Sequence, residues 1–292
     1  MTANTTEILL LGIAQDGGMP QIRCQCKNCS SVHQGILPQQ YTVSLAIINQ
    51  TTNQVWLIDC SPDFRNQYTM LQKHFGLDKS FTLEGIFLTH LHMGHYTGLF
   101  QFGRETMDWK GLKIYGTESV CQFFQTNQPW STYIQIGNFV LNPLVPQTEI
   151  QLSSDLFLKS QLIPHRAEFS DAVGYFIRGS LRTFFFCPDV DSWDRGWLNE
   201  NGLLPLDIVQ SVDQAFLDAT FFSADELPNR KIDEIPHPTV MQTLEKFRGF
   251  EHKITLIHLN HSNPLYDLQS KQREHCEQAG INIGIQGTVY KI

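Results

Sequence analysis

Short apolar runs separated by polar turns recur along the chain, and they predict a protein rich in β-strands. The runs that predict strands are residues 7–14, 43–48, 54–58, 85–88, 113–115, 139–141, 149–152, 157–163, 173–177, 183–186, 215–217, 253–257 and two short stretches around 283 and 289. Helices are predicted at about residues 62–75, 96–100, 119–124 and 269–278. Strand runs followed by helices occur twice, which predicts an α/β fold of two sheets packed face to face with helices outside.

Acidic and imidazole side chains occur at or just after the carboxyl ends of several predicted strands. In layered α/β architectures this is the usual place for groups that bind a ligand. The residues in question are Asp59, His90, His165, Asp189, Asp218 and His258.

Three of the 11 histidines form the pattern His90-x-His92-x-x-His95 directly after a predicted buried strand. Residues two apart in an extended chain point to the same side, so His90 and His92 present their imidazoles together. Gly94 allows a sharp turn that brings His95 back towards them. Three nitrogen ligands at a strand-to-helix corner predict a metal site.

Composition and charge narrow the class of protein. The 292 residues are 41% hydrophobic and 17% charged, which is ordinary for a folded protein, and we expect one domain spanning residues 1–292. The net charge of −8 argues against nucleic acid or an anionic membrane as partner. The first apolar run is too short for a signal peptide or a membrane span, so a cytoplasmic location is expected.

Three of the seven cysteines are clustered as Cys24-x-Cys26-x-x-Cys29. In a reducing compartment such a cluster is more typical of a metal site than of disulfides. Three thiolates leave a tetrahedral metal one ligand short. The other cysteines, Cys60, Cys121, Cys187 and Cys276, are predicted to be buried as small apolar side chains.

The stretch Thr89-His-Leu-His-Met-Gly-His95, followed by Tyr-Thr-Gly-Leu99, resembles the HxHxDH signature of the metallo-β-lactamase superfamily. The resemblance implies a four-layer αββα sandwich with two metal positions in an active site. It implies that Asp59 supports the motif from a neighbouring strand and that His237 faces the substrate. The implied ligands are His90, His92 and His165 for the first metal and His95 and His258 for the second, with Asp189 bridging.

The chain departs from this signature at Gly94, where the signature has aspartate. The second position loses a hard anionic ligand and is left richer in nitrogen. One interpretation is a single tightly held metal with a weak second. Another is a substitute carboxylate from the glycine loop after the first strand, where Asp16 is the candidate. Zinc suits either arrangement, while iron or manganese also fits histidines with a carboxylate and open positions.

A second level of resemblance, to the PqqB proteins of pyrroloquinoline quinone (PQQ) biosynthesis, extends over nearly the whole chain. It includes the glycine loop, the cysteine cluster, Ser61-Pro-Asp-Phe-Arg65, Asp218-Ala-Thr220 and Asn263-Pro264. The cysteine cluster in that family and in some phosphodiesterases is a structural zinc site. By this resemblance, His261 is the expected fourth ligand to Cys24, Cys26 and Cys29.

Three functions follow from these residues and resemblances. The first is a hydrolase acting on a small anionic ester or phosphodiester, in which a metal-activated water attacks and Asp189 holds the nucleophile. His237 either donates a proton to the leaving group or binds an anionic group of the substrate. The second is an iron-dependent oxygenase in PQQ biosynthesis. The third is a metal-binding protein without catalysis.

Overall fold

Two mixed seven-stranded sheets form the centre of the molecule in a computed structural model that describes residues 6–197, 203–226 and 236–292. The strands are β1 (Thr6–Gly12), β2 (Ser44–Asn49), β3 (Gln54–Ile58), β4 (Thr82–Phe87), β5 (Leu112–Gly116), β6 (Phe139–Pro143), β7 (Glu149–Ser153), β8 (Leu156–Ile163), β9 (Ala172–Arg178), β10 (Thr183–Cys187), β11 (Gln214–Asp218), β12 (Ile254–Ile257), β13 (Asn282–Ile283) and β14 (Val289–Lys291). The first sheet has the order β14-β1-β2-β3-β4-β5-β6, and the second has the order β13-β12-β11-β10-β9-β8-β7.

Eight α-helices are found in the described residues. They are α1 (Lys27–His33), α2 (Phe64–Phe75), α3 (Met93–Tyr96), α4 (Glu118–Thr126), α5 (Trp130–Gln135), α6 (Pro205–Ser211), α7 (Val240–Lys246) and α8 (Lys271–Ala279). Short 3-10 helices are also present, and one of them, Thr97–Phe102, lies directly after α3. Among the described segments, no helix combines the length and apolar character needed to cross a membrane.

Alternating side chains of the first sheet enter two different apolar cores. Ile8 and Leu10 of β1 belong to a large core shared with the second sheet, which contributes residues such as Phe184 and Phe216. Leu9 of β1 points to the opposite face, into a core built with α2, α4 and α5. Helical residues on α6, α7 and α8 join the large core. This alternation follows from the two-residue period of a strand, and it confirms the predicted αββα fold.

Parallel pairing brings the strand ends that carry the acidic and imidazole side chains to one edge of each sheet. In the first sheet β3 pairs in parallel with β4, and in the second β10, β11 and β12 are parallel neighbours. The carboxyl ends of parallel strands meet at the same edge of a sheet. A hydrogen bond from Val173 N–H at the start of β9 to Thr89 O (3.0 Å) connects the two sheets at that edge.

The predicted strands all occur, with ends that differ by a few residues. The helix expected from residue 62 begins at Phe64, and that expected at 96–100 is divided between α3 and a 3-10 helix. Sequence patterns missed α1, α5, α6 and α7, each of which has only six or seven residues. Helices this short show fewer than two full turns of apolar periodicity, so their pattern is weak.

Candidate metal centre

The histidine motif lies in a tight turn between β4 and α3. Thr89 donates its N–H to Asp59 Oδ1 (2.8 Å), and its hydroxyl donates to Asp59 Oδ2 (2.9 Å). Asp59 follows β3, the parallel neighbour of β4, so its carboxylate reaches the motif from the adjacent strand. The rings of His90 and His95 come within 4.1 Å between centroids. The turn therefore gathers the three imidazoles, as their spacing predicts.

A first group of potential ligands consists of His90, His92, His165 and Asp189. His92 Nδ1 lies 3.0 Å from His90 Nε2 and 2.9 Å from His165 Nε2. Asp189 Oδ2 lies 3.4 Å from His90 Nε2, and Asp189 Oδ1 lies 3.4 Å from His165 Nε2. Four ligands about 2.0–2.1 Å from one ion at tetrahedral angles would be separated by about 3.3 Å. The spacing of this group is therefore close to that of a four-coordinate metal site.

A second group lies on the other side of the Asp189 carboxylate. His95 Nε2 is 3.3 Å from Asp16 Oδ1 and 3.6 Å from Asp189 Oδ2, and His258 Nε2 is also 3.6 Å from Asp189 Oδ2. His95 Nε2, His258 Nε2, Asp16 Oδ1 and Asp189 Oδ1 are all buried, and none has a hydrogen-bond partner among the described residues. Buried polar atoms without partners are costly, so these residues fit a cation that would satisfy them.

The contact between Gly94 and Asp16 explains the departure from the motif. A Cβ atom built on Gly94 would lie 2.0 Å from Asp16 Oδ1 and 2.8 Å from Asp16 Cα. A side chain at position 94 therefore cannot coexist with Asp16 in its present place. The structure puts the Asp16 carboxylate beside His95, which is the arrangement expected of a substitute carboxylate.

Each of the five histidines in the two groups has a hydrogen-bonding neighbour at its other ring nitrogen. Such outer contacts orient a metal-binding imidazole and select its tautomer. The pairs are His90 Nδ1 with Thr89 Oγ1 (3.0 Å), His92 Nε2 with Glu168 Oε2 (2.9 Å), His95 Nδ1 with Asp59 Oδ2 (2.7 Å), His165 Nδ1 with Asp191 Oδ1 (2.9 Å) and His258 Nδ1 with Thr220 Oγ1 (2.8 Å). The remaining nitrogen of every ring faces the Asp189 carboxylate or another histidine of its group.

Burial and neighbouring charges together shift the pKa values of these groups. Burial alone would raise the pKa of Asp189, but His165, His258 and His237 hold that pKa well below its usual range. The pKa of His90 lies well below its ordinary value, first because of burial and then because of the nearby His95. The centre thus favours an ionised carboxylate and a neutral His90 imidazole, which are the forms that bind metals.

Two residues of the centre have backbone conformations that are uncommon outside glycine. Asp59 has φ of 64°, and His258 has φ of 59°. Such conformations cost free energy and are concentrated at functional sites. In both cases the residue immediately follows a strand and directs its side chain into the centre.

His237 adjoins the two groups in a different orientation. Its Nδ1 lies 2.7 Å from Asp218 Oδ2 and 3.3 Å from Asp189 Oδ1. Burial opposes the positive charge, but Asp218 and Asp189 outweigh it and raise the pKa of His237 to about 9. No described residue hydrogen-bonds to Nε2. His237 also lines a cavity of about 130 Å³, together with Asp191, Arg195 and Gln242, so a molecule bound there would lie beside this side chain.

Several residues of the centre were not identified from the sequence as site residues. Asp218 was recognised only as a strand end, although its carboxylate contacts His237 and its pKa is lowered to about 2, burial being outweighed by His237 and His258. Glu168 and Asp191 are further examples. Glu168 lies three residues after His165 in the sequence, which was an available signal, whereas Asp191 is brought to His165 only by the tertiary structure.

The cysteine cluster forms a separate group with His261. His261 Nδ1 lies 3.3 Å from Cys24 Sγ, 3.5 Å from Cys26 Sγ and 3.6 Å from Cys29 Sγ. With a metal–sulfur distance of about 2.3 Å and a metal–nitrogen distance of about 2.0–2.1 Å, tetrahedral geometry separates S and N by about 3.6 Å. The four residues therefore fit a structural zinc site. The other four cysteines are free and buried, as predicted.

Sequence comparisons identify proteins to which this chain is similar. A family model described as beta-lactamase superfamily domain matches residues 55–261. Coenzyme PQQ synthesis protein B of Klebsiella pneumoniae is 26% identical over 309 residues, covering 96% of this chain and 96% of that protein. The protein of the same name from Ectopseudomonas mendocina is 28% identical over 316 residues, covering 96% and 98%.

Solved structures share the fold. Zinc-bound PqqB from Methylobacterium extorquens superposes with a TM-score of 0.78 at 17% identity, covering 98% of this chain and 100% of that one. A diphosphatase from the PhnP family gives a TM-score of 0.66 at 21% identity, covering 99% and 97%. At these identities the two structures show that the fold is shared, and they carry no further conclusion about this chain.

Proposed function

The chain belongs to the beta-lactamase superfamily, and on this premise we propose that it is a metal-dependent hydrolase of a small anionic ester or phosphodiester. The observation that carries the proposal is the arrangement around Asp189. Five histidine nitrogens and the Asp16 carboxylate form two adjacent donor groups there, and His237 lies beside them with its Nε2 available. A substrate held against both groups would have a proton donor within the same site.

The proposed ligands are His90, His92, His165 and Asp189 at the first position and His95, His258, Asp16 and Asp189 at the second. Metal ions bound there would polarise the scissile bond and lower the pKa of a coordinated water. We propose zinc on the strength of the donor set, with iron or manganese as the alternatives that nitrogen and carboxylate ligands also accept. Zinc is likewise proposed for the group of Cys24, Cys26, Cys29 and His261.

The other proposed steps are assigned to Asp189, Asp218 and His237. Asp189 lies between the two donor groups, where its carboxylate would accept a hydrogen bond from the attacking water. Asp218, 2.7 Å from His237 Nδ1, holds that imidazole with Nε2 directed away from Asp189. We assign to Nε2 the transfer of a proton to the leaving-group oxygen. The substrate is proposed to be a free small molecule, and the reduced thiols of the cysteine cluster suit a cytoplasmic location.

Replacement of His92 tests the hydrolase proposal. We expect His92→Ala to lose metal from the first position and to abolish hydrolysis across a panel of phosphodiesters, carboxylic esters, lactones and thioesters. Metal content per chain and initial rates are the measurements. His252→Ala is the matched control, because His252 is exposed and precedes β12 at the end opposite to His258. Full activity of His92→Ala would refute the assignment.

A second experiment tests His237 as the proton donor. Nitrophenolate leaves readily without protonation, whereas a simple alkoxide needs a proton. We expect His237→Gln to lower kcat by about 100-fold or more for an alkyl phosphodiester and much less for bis(p-nitrophenyl) phosphate. Equal losses on both substrates would contradict this role.

The similarity to proteins named coenzyme PQQ synthesis protein B supports a second candidate function. In this alternative the same centre holds iron and oxidises a precursor of the quinone cofactor. Iron in the purified protein and oxygen consumption with a tyrosine-derived substrate would favour it over hydrolysis. Retained metal without either activity would favour a metal-binding protein that is not an enzyme.

A further inference from the structure

Arg166 directly follows the proposed ligand His165 in the loop between β8 and β9, and its guanidinium is poorly paired. Its Nε is buried without a hydrogen-bond partner in the part of the chain that the structure describes. One terminal nitrogen lies 3.5 Å from Glu168 Oε1, and both side chains are substantially exposed, at 38% and 46%. An ion pair of this length and exposure contributes little to stability, so folding alone does not account for an arginine here.

The neighbours of Arg166 in space and in sequence belong to the proposed metal centre. Glu168, its carboxylate neighbour, uses its other oxygen to contact His92 Nε2 at 2.9 Å. Arg166 also directly follows His165, whose Nε2 lies 2.9 Å from His92 Nδ1 and 3.4 Å from Asp189 Oδ1. The guanidinium is therefore linked through Glu168 to the proposed metal ligand His92 and is next in sequence to the proposed ligand His165.

The acidic side chains in the loops after β8 and β10 already have partners of their own. Asp191 contacts His165 Nδ1, and Asp194 forms an ion pair with Lys246 at 2.5 Å. Glu168 is held by His92. Apart from its 3.5 Å contact with Glu168, Arg166 has no ion-pair partner among the described residues, and its Nε has no hydrogen-bond acceptor there.

We propose that Arg166 determines substrate specificity by binding a non-bridging oxygen of an anionic phosphoryl group, so that the centre selects phosphodiesters over neutral esters. This inference rests on the proposed hydrolase function and names the substrate class of the same site. Guanidinium is always charged and presents donors in a planar fork that suits phosphate oxygens. A neutral carboxylic ester offers no anionic oxygen and gains little from it.

Inorganic phosphate is the probe, and isothermal titration calorimetry on the metal-loaded protein is the measurement. We expect Arg166→Gln to weaken phosphate binding by about tenfold to a hundredfold, the range for a lost charge-assisted hydrogen bond. Arg166→Lys keeps the positive charge but lacks the planar set of guanidinium donors, so its phosphate affinity should fall by less than that of Arg166→Gln. Arg182→Gln, an equal change of charge at the exposed turn between β9 and β10, should bind within twofold of the wild type.

Metal content and melting temperature of each variant are measured first, so that a loss of metal is not mistaken for a loss of anion binding. Arg166→Lys with full metal content tests the proposal even if Arg166→Gln folds poorly. Phosphate binding by Arg166→Gln within twofold of the wild type would overturn the proposal. The proposal would also be overturned if only Arg195→Gln, a change at an arginine that lines the cavity beside His237, lost phosphate binding. The absence of saturable phosphate binding by the wild type would overturn it as well.

Kinetics separate this proposal from the function on which it rests. Arg166→Gln should lower kcat/KM for bis(p-nitrophenyl) phosphate by at least tenfold and for p-nitrophenyl acetate by less than threefold. An equal reduction on both substrates would contradict selection by charge. Absence of hydrolysis by the wild type, with Arg166-dependent phosphate binding intact, would refute the hydrolase function and leave the anion site supported.

Discussion

At the scale of single residues, Asp16 and Gly94 depend on each other. The superfamily motif has aspartate at position 94, whereas this chain has a carboxylate at position 16 that fills the space where a side chain on residue 94 would begin. The Asp16 oxygen that faces His95 is buried and has no hydrogen-bond partner among the described residues. Moving the carboxylate to another loop preserves an anionic ligand while changing which segment supplies it.

Asp16→Asn should weaken the second metal position and spare the first. The amide is close in size to the carboxylate but carries no charge, so we expect the affinity for one metal ion per chain to fall by about tenfold or more. Titration with zinc, followed by metal analysis, measures the effect. Asp108→Asn is the control, since Asp108 is half exposed and contacts Lys110 and Asn138, neither of which belongs to a candidate metal group. Unchanged stoichiometry and affinity in Asp16→Asn would remove Asp16 from the ligand set.

Gly94→Ala should displace Asp16. The added methyl group would overlap both the carboxylate and the backbone of Asp16, so the loop must shift and the second metal should bind more weakly. We expect a loss of stability of about 1–3 kcal/mol, measured by denaturant unfolding of the metal-loaded protein.

The double variant Gly94→Asp with Asp16→Gly tests the same dependence in reverse. It returns the carboxylate to the motif and removes the Asp16 side chain, so it should bind a second metal better than Gly94→Asp alone. If both variants bind metal equally, the two positions are independent and the steric explanation is wrong.

At the scale of elements, two loops link the two proposed metal sites. The loop after β1 carries Asp16 and leads into the cysteine cluster, and the loop after β12 carries both His258 and His261. The loops are joined by hydrogen bonds from Leu259 N–H to Ile13 O (2.8 Å) and from Gln15 N–H to Leu259 O (2.9 Å). Further along, the Asn28 side chain donates to His261 O (3.0 Å). Order in one site is therefore expected to support the other.

Cys24→Ser should reduce metal binding at both sites. Serine is a poor zinc ligand beside two thiolates, so the structural zinc should weaken and the loop that carries Asp16 should lose its anchor. We expect the second active-site metal to bind several-fold more weakly, while the first group, which contains no residue of these loops, keeps its affinity. Metal analysis of the purified variant measures this.

Cys121→Ala is the control for Cys24→Ser. Cys121 is buried on α4, outside both candidate sites, so its replacement should lower stability without releasing metal. Loss of only one metal in Cys24→Ser, with the active-site affinities unchanged, would show that the two sites are independent.

At the scale of the whole molecule, the centre lies where the two sheets meet. His90, His92 and His95 follow β4 of the first sheet, whereas His165, Asp189 and His258 follow strands of the second. Metal ions shared by these residues would hold the two sheets together at the edge where Val173 already bonds to Thr89. We infer that the two sheets behave as one folding unit when metal is bound.

Removal of metal should therefore lower the stability of the entire fold. A ligand at about 100 times its Kd stabilises the folded state by about 2.7 kcal/mol for each site. Dialysis against EDTA should reduce the melting temperature by several degrees, and zinc should restore it. Calorimetry measures the change. An unchanged melting temperature after verified removal of all metal would show that these residues do not bind metal tightly.

Local sequence determined much of this protein. The spacing of His90, His92 and His95, the close cysteines and the apolar runs predicted the motif, a thiolate site and the strands, because each depends on neighbouring residues whose geometry is set by the local backbone. The family resemblance then identified His165, Asp189, His258 and His261, and their grouping in the structure agrees with it.

Only the tertiary structure decided which residues from separate loops meet. It brought Asp218 to His237, Asp191 to His165 and Glu168 to both His92 and Arg166, and it put Asp16 in the space left by Gly94. These contacts depend on strand order, register and loop path. Those features arise from packing between distant segments, and no periodic pattern along the chain encodes them.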